Sequence, residues 1–189
     1  KARLPHIGEE GLQVMVYVPD QPHLFARLCG FFSRLGYSIA EAKIHTTRHG
    51  YALDSFMLLD PDGTLAYRDM ISLIEHDLSA RLASGAAPEK AASGRLSRQV
   101  RNFPITPEVQ IRQTEKPGQC LLSIIAADRP GLLFTVASTL DAHDINVHTA
   151  KIATLGERVE DVFLISGKEL AQTATLVRLE QDLLKVLQV

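Results

Sequence analysis

The sequence predicts an α+β fold in which two similar units each lay helices on one face of an antiparallel sheet. Three observations carry that prediction. The first is an internal repeat with a spacing of 108 residues, in which VPDQPHLF (Val18–Phe25) answers AADRPGLL (Ala126–Leu133) and EAKIHT (Glu41–Thr46) answers TAKIAT (Thr149–Thr154). After one missing residue, LDSFML (Leu53–Leu58) answers EDVFLI (Glu160–Ile165). The second is that apolar residues switch between period two and period 3.6 in the same order in both copies. The third is the stretch SGAAPEKAASG (Ser84–Gly94), which lacks large apolar groups and reads as a flexible linker between the copies.

The elements follow in chain order. Leu12–Val18 alternates as a strand and meets a Pro-Asp turn. Leu24, Phe25, Leu28, Phe31, Phe32 and Leu35 then share one face of a helix, which Gly36 ends. Tyr37–Thr47 and Tyr51–Leu59 are β-rich runs joined by Arg48-His49-Gly50, a hairpin signal. Tyr67, Met70, Ile71, Ile74, Leu78 and Leu82 form the stripe of a second helix. The later copy repeats this with Cys120–Ala126, Leu132–His143, Ile145–Leu155, Val159–Ile165 and a helix carrying Leu176, Leu179, Leu183 and Leu187. Val100–Ile105 and Val109–Gln113 lie between as strands that either copy could own. The order βαββα, closed by one more strand, describes a ferredoxin-like (βαββαβ) unit with helices on one face of its sheet.

In IAEAKI (Ile39–Ile44) the apolar phase jumps from Ile39 to Ala42, and NVHTAKI (Asn146–Ile152) does the same from Val147 to Ala150. A one-residue bulge would restore the buried face in each strand. Such a bulge either borders a site or sets local twist. The division expected is residues 1–83 for the first domain, 84–97 for the linker and 98–189 for the second domain with its preceding strands.

With 189 residues, 20 basic and 22 acidic side chains, the chain has room for two small domains and a net charge of −2. Residues 84–113 are net +3 between two acidic ends of −2 and −3. Near-neutral charge and 6% aromatics disfavour nucleic acid as a partner. No apolar run reaches the roughly 20 residues that span a bilayer, and the opening KARLPHIGEEG lacks the apolar core of a secretory signal, so a cytoplasmic location is expected. A start at Lys1 rather than Met is expected of a piece cut from a longer chain. Cys29 and Cys120 read as buried small apolar residues kept reduced rather than as a disulfide.

Catalytic signatures are missing: GxGxxG, the Walker loop, HExxH and GxSxG all fail to occur. Asp60-Pro-Asp62-Gly63 reads as a turn rather than a metal site, and His45 and His49 have no acidic or Cys neighbour in sequence to complete one. The positive signal is DRPGLL (Asp128–Leu133) at a strand–helix junction. Pro130 presets the turn, Gly131 lets backbone approach a ligand, and the free N–H groups of the next helix suit a carboxylate. Asn146 adds both an acceptor and donors. That set matches the needs of an α-amino acid, although spacing alone favours Asp128 as a helix cap and Asn146 as a turn residue.

DRPGL after a strand, an Asn at the start of the next strand and the βαββα order together resemble the ACT domain, a small-molecule regulatory module. The tandem copies, with YVPDQPHLF, AKIHTT, GYALDSFMLLDPDG, DRPGLL and AKIATLGERVEDVF, resemble the C-terminal end of the bifunctional uridylyltransferase/uridylyl-removing enzyme family that acts on PII signal proteins. The resemblance implies a regulatory glutamine sensor, in which glutamine inhibits uridylylation of PII and favours uridylyl removal. It also implies that catalytic domains lie upstream, where a divalent metal and UTP would be used. No cofactor, metal or catalytic residue is expected in this fragment, which on this reading is not itself an enzyme.

Carried over residue by residue, the family's ligand site falls in the second copy on Asp128, Arg129, Gly131, Leu132, Asn146 and Val147. The first copy offers a weaker set, Asp20, Gln21, His23, Leu24, Ser38 and Ile39, because His23 replaces the glycine and Ser38 the asparagine. Arg129 offers either a partner for a ligand carboxylate or a solvated turn charge. The nearest alternative is a free-standing tandem ACT regulator of the glycine-cleavage repressor type, binding another amino acid. An RNA-binding sheet lacks its aromatic signature here. A small hydrolase on the same topology, of which acylphosphatase is an example, would need a phosphate cradle that DRPGL could imitate.

Overall fold

Every strand described in the computed structural model of this chain belongs to one continuous antiparallel sheet. Residues 1–4, 11–59, 67–84 and 104–188 are described. The first copy contains β1 (Ala2–Arg3), β2 (Leu12–Pro19), α1 (Leu24–Arg34), β3 (Ser38–Lys43), β4 (Tyr51–Leu59) and α2 (Tyr67–Ser84). The second contains β5 (Glu108–Gln113), β6 (Gln119–Ala127), α3 (Leu132–Ala142), β7 (Asn146–Lys151), β8 (Thr154–Leu155), β9 (Arg158–Ser166) and α4 (Thr173–Leu187). The spatial order is β1-β2-β4-β3-β7-β9-β6-β5, with β8 paired to β9. Each copy thus keeps its own half of the sheet, and the halves meet through β3 and β7.

These residues form these elements because their apolar positions repeat at the right period. On β4 and β9 every second residue is buried, which leaves Ala52, Phe56 and Leu58 inside in the first copy and Val159, Phe163 and Ile165 in the second. Helix α1 buries Leu24, Phe25, Leu28, Phe31 and Phe32 and stops where Gly36 takes φ 84, a value that costs glycine little. The Gly36 and Tyr37 amides then donate to the carbonyls of Ser33 and Phe32, both at 3.1 Å, which satisfies the end of the helix. Both expected bulges occur: the register shifts between Ile39 and Glu41 on β3 and between Val147 and Thr149 on β7. Ala40 and His148 are the extra residues, and Ala42, Ile44, Ala150 and Ile152 are buried as a result.

The strand that closes each unit comes ahead of it rather than after it. β5 pairs with β6 over Glu108–Gln113, and β1 pairs with β2 at Ala2 and Arg3, so each copy is ordered ββαββα. Glu108–Gln113 therefore belongs to the second copy. Residues 104–107 carry no regular structure, whereas residues 100–103, the linker beyond Ser84 and the Asp60–Gly63 turn lie outside the described residues.

The copies join in two ways. Their sheets meet at a single ladder pair, Lys43 opposite Lys151, while α1 packs against α3 on the helical face. Phe25 of α1 sets its ring edge-on to Phe163 of β9, 6.2 Å between centroids, so the apolar core runs unbroken from one copy into the other. Cys29 and Cys120 are both free and buried.

Candidate functional site

The side-by-side join creates two cavities related by the repeat, and each draws on both copies. The first lies where the loop from Asp20 into α1 faces Ile145–His148 at the start of β7. The second lies where the loop from Asp128 into α3 faces Tyr37, Ser38 and Ile39. The pairing is therefore crossed. Asp128, Arg129, Gly131 and Leu132 share a cavity with Ser38 and Ile39, not with Asn146 and Val147. Asp20, Gln21, His23 and Leu24 share theirs with Asn146 and Val147. The sequence reading grouped these residues within each copy; the antiparallel meeting of β3 and β7 exchanges the partners.

The two spaces differ in size. The first measures about 310 Å³ and the second about 40 Å³. The larger reaches the lower end of small-molecule pockets, whereas the smaller holds little more than one water. The roomier cavity contains the loop that the sequence ranks as weaker. Tyr37 stands in the smaller cavity at the repeat position that Ile145 holds in the larger.

Both loops enter their helices through a left-handed residue, Gly131 at φ 79 and His23 at φ 61. Glycine adopts this freely; a histidine does so at a cost of order 1–2 kcal/mol. The structure keeps the geometry in the first copy despite the side chain, and uses that side chain. His23 Nδ1 lies 3.1 Å from Asp141 of α3, a link from one copy to the other at the cavity edge. At both loops the strand-end amide is anchored alike, Asp20 N–H to the Gly50 carbonyl at 2.9 Å and Asp128 N–H to that of Glu157 at 2.8 Å. Arg129 is partly buried at the smaller cavity, and its guanidinium donates to the Val186 carbonyl in the last turn of α4, where the helix dipole favours a cation.

Two residues absent from the sequence-derived set form the cavity floors. Asp54 on β4 and Asp161 on β9 are 1% and 2% exposed. Each accepts a backbone N–H at 3.3 Å, from His45 and Ala153 respectively. Burial pushes both carboxyls up to about 7, against the lowering effect of those amides. Their signal was in the sequence: both stand in the inward phase of an otherwise apolar strand, at matching positions of the repeat.

The larger cavity is also the more polar. Where the smaller cavity's half of the repeat has Gly131, Ser33, Ser38 and Ala40, the larger has His23, Asp141, Asn146 and His148. His148, the bulge residue, is held by a 2.6 Å hydrogen bond between its Nε2 and Ser166 Oγ. Burial raises the Asp141 carboxyl, and His23 opposes that rise. Asp20, Asp54 and Asp141 line the space without a lysine or arginine among its lining residues, so it favours a cationic group. α1 begins at the same cavity; the Leu24 and Arg27 amides donate to the carbonyls of Gln21 and His23, which leaves the Phe25 and Ala26 amides without an acceptor inside the helix. Among the described residues no cluster of three or more His, Cys, Asp or Glu is placed to hold a metal, and no helix is long and apolar enough to cross a membrane.

Comparison with known proteins gives this arrangement a family. The ACT domain model matches residues 13–66 and 121–178. The whole chain is 57% identical to a bifunctional uridylyltransferase/uridylyl-removing enzyme of Aromatoleum aromaticum and 54% identical to one of Cupriavidus pinatubonensis. A third, from Ralstonia nicotianae, is 51% identical over 99% of the chain. The chain spans 22% of the length of each of these relatives and corresponds to their C-terminal part. With two matched copies, paired through their sheets and first helices, the chain belongs to the ACT domain family.

Proposed function

We propose that this chain is the amino-acid-sensing regulatory region of a longer uridylyltransferase/uridylyl-removing enzyme, and that its ligand occupies the larger cross-copy cavity. The unequal pair of cavities supports this reading: of two spaces related by the repeat, one alone has both ligand-sized volume and an added set of polar side chains. An α-amino acid fits its chemistry. The ammonium group meets Asp54 and Asn146, and the carboxylate meets first-turn amides of α1. Glutamine is the ligand the family resemblance implies, with its effect exerted on uridylylation of PII proteins in the cytoplasm by the upstream part of the longer chain. Control arises because the ligand favours one arrangement of the two copies over another, a coupling typically of about 1–3 kcal/mol.

Calorimetric titration at pH 7 tests the reading. Glutamine should bind, and Asn146→Ala should weaken it by roughly 10- to 100-fold, the loss of a hydrogen bond to a charged group. Ser38→Ala, in the smaller cavity, should change affinity less than twofold, and phosphate or RNA should give no heat. No heat with millimolar glutamine, or a loss confined to Ser38→Ala, would contradict the proposal.

A further inference from the structure

Among the described residues, the outer edge of the first copy is built only in part. β1 covers β2 at Gln13 and Val14, and Lys1 and Met15 exchange both backbone hydrogen bonds, at 2.9 and 2.8 Å. Beyond Met15 the β2 edge has no partner strand among the described residues. Beside it runs a groove of about 220 Å³ between β2 and α2, with Val14, Val16, Ile74, Leu78 and Leu82 in its walls. Glu75, at the same groove, accepts the Ala2 amide at 2.8 Å.

The second copy shows what such a groove holds. Translating by the repeat places Lys1, Ala2 and Arg3 on Gln110, Ile111 and Arg112, since Ala2 pairs with Val14 as Ile111 pairs with Leu122. β5, however, reaches two residues further toward its start. Val109 pairs with Ile124, the counterpart of Val16, and is 6% exposed; Glu108 pairs with Ile125, the counterpart of Tyr17. α4 packs over β5 as α2 packs over β1.

We infer that the residues preceding Lys1 in the longer protein continue β1 along β2, and that the residue immediately before Lys1 is apolar and fills the groove against Val16 and Leu78. The register sets the details. In an antiparallel ladder hydrogen-bonded pairs alternate, so after Lys1–Met15 the next is Tyr17 with the second residue before Lys1. Side chains alternate likewise, so the residue between them shares the buried face of Ala2. The relatives supply the occupant's source, because this chain is 22% of their length and corresponds to their C-terminal part. An exposed strand edge is also a liability that proteins cover. By the register of β5 the incoming segment enters the sheet level with Tyr17, three residues ahead of Asp20. The upstream part of the protein and the loop of the larger cavity are therefore joined through one strand. The placement of this strand stands apart from the identity of any ligand.

Hydrogen exchange followed by NMR or mass spectrometry tests the inference on the longer protein and on the chain starting at Lys1. In the longer protein the Tyr17 amide should exchange at least 100-fold more slowly than in the shorter chain, with peptides from β6 unchanged as a control for folding. Replacing the residue before Lys1 with Asp in the longer protein should lose at least tenfold of that protection. Equal Tyr17 exchange in the two proteins would overturn the inference. So would protection in the shorter chain that rises with its concentration, since a second copy would then be covering the edge.

Discussion

Asp54 and Asp161 occupy positions where the strand pattern calls for an apolar side chain, and this makes their protonation a contribution to stability. Their folded-state pKa, about 7, lies above the ordinary carboxyl value of 3.8, so the folded chain holds protons that the unfolded chain releases. The resulting stabilisation is complete below about pH 4 and is lost as pH rises through 7, and each group carries a contribution on the order of a few kcal/mol. Asp54→Asn keeps an acceptor for the His45 amide without the charge. It should raise stability at pH 8 and flatten the pH dependence between 4 and 8, measured by urea unfolding. A variant with unchanged slope would show that Asp54 is already ionised in the fold. Ligand chemistry follows from the same group. An ammonium bound beside Asp54 lowers its pKa, so binding near pH 7 should release protons, seen as a calorimetric enthalpy that varies with the ionisation heat of the buffer.

The bulges of β3 and β7 show how far the pattern of individual elements could be read in advance. The jump in apolar phase at Ile39–Ala42 and Val147–Ala150 can be satisfied by one added residue, and the register shifts lie there. Helix α1 was legible for the same reason, since a period of 3.6 and a stop at Gly36 leave little choice. Deleting Ala40 removes the correction and turns one side of β3 away from the core. Loss of one buried aliphatic side chain costs about 1.5–3 kcal/mol, which corresponds to a fall of roughly 3–12 °C in Tm for a chain of this size. Calorimetry should show that fall, and an unchanged Tm would mean the bulge only sets local twist. Alternation alone left the β5 strand open to either copy, because a closing strand on either side of a unit satisfies it; the expected division at residue 98 set it with the second copy, where it pairs with β6. The buried aspartates were legible in principle, as charged residues in the core phase of matching strands.

The crossed cavities arise only when two units are set side by side, so no residue within one unit announces them. The candidate loops and strand starts could be named from the repeat, but their partners depend on β3 meeting β7, a junction of one ladder pair with two lysines opposite each other. Like charges so placed are unfavourable. Lys151→Glu should therefore strengthen the join by about 0.2–1 kcal/mol at low salt, an effect that salt reduces, measured by chemical unfolding. On the proposed reading the same geometry governs sensing. A ligand between the Asp20 loop and β7 touches both copies at once and can report on their arrangement, as a ligand inside one unit could not. The most direct test is NMR of the uniformly ¹⁵N-labelled chain titrated with glutamine. The crossed arrangement predicts that the amides of Asp20–Phe25 and Ile145–His148 shift together along one binding curve, while those of Asp128–Leu133 and Tyr37–Ile39 stay in place. Shifts shared by Asp128–Leu133 with Asn146 and Val147, with the Asp20 loop unmoved, would contradict it.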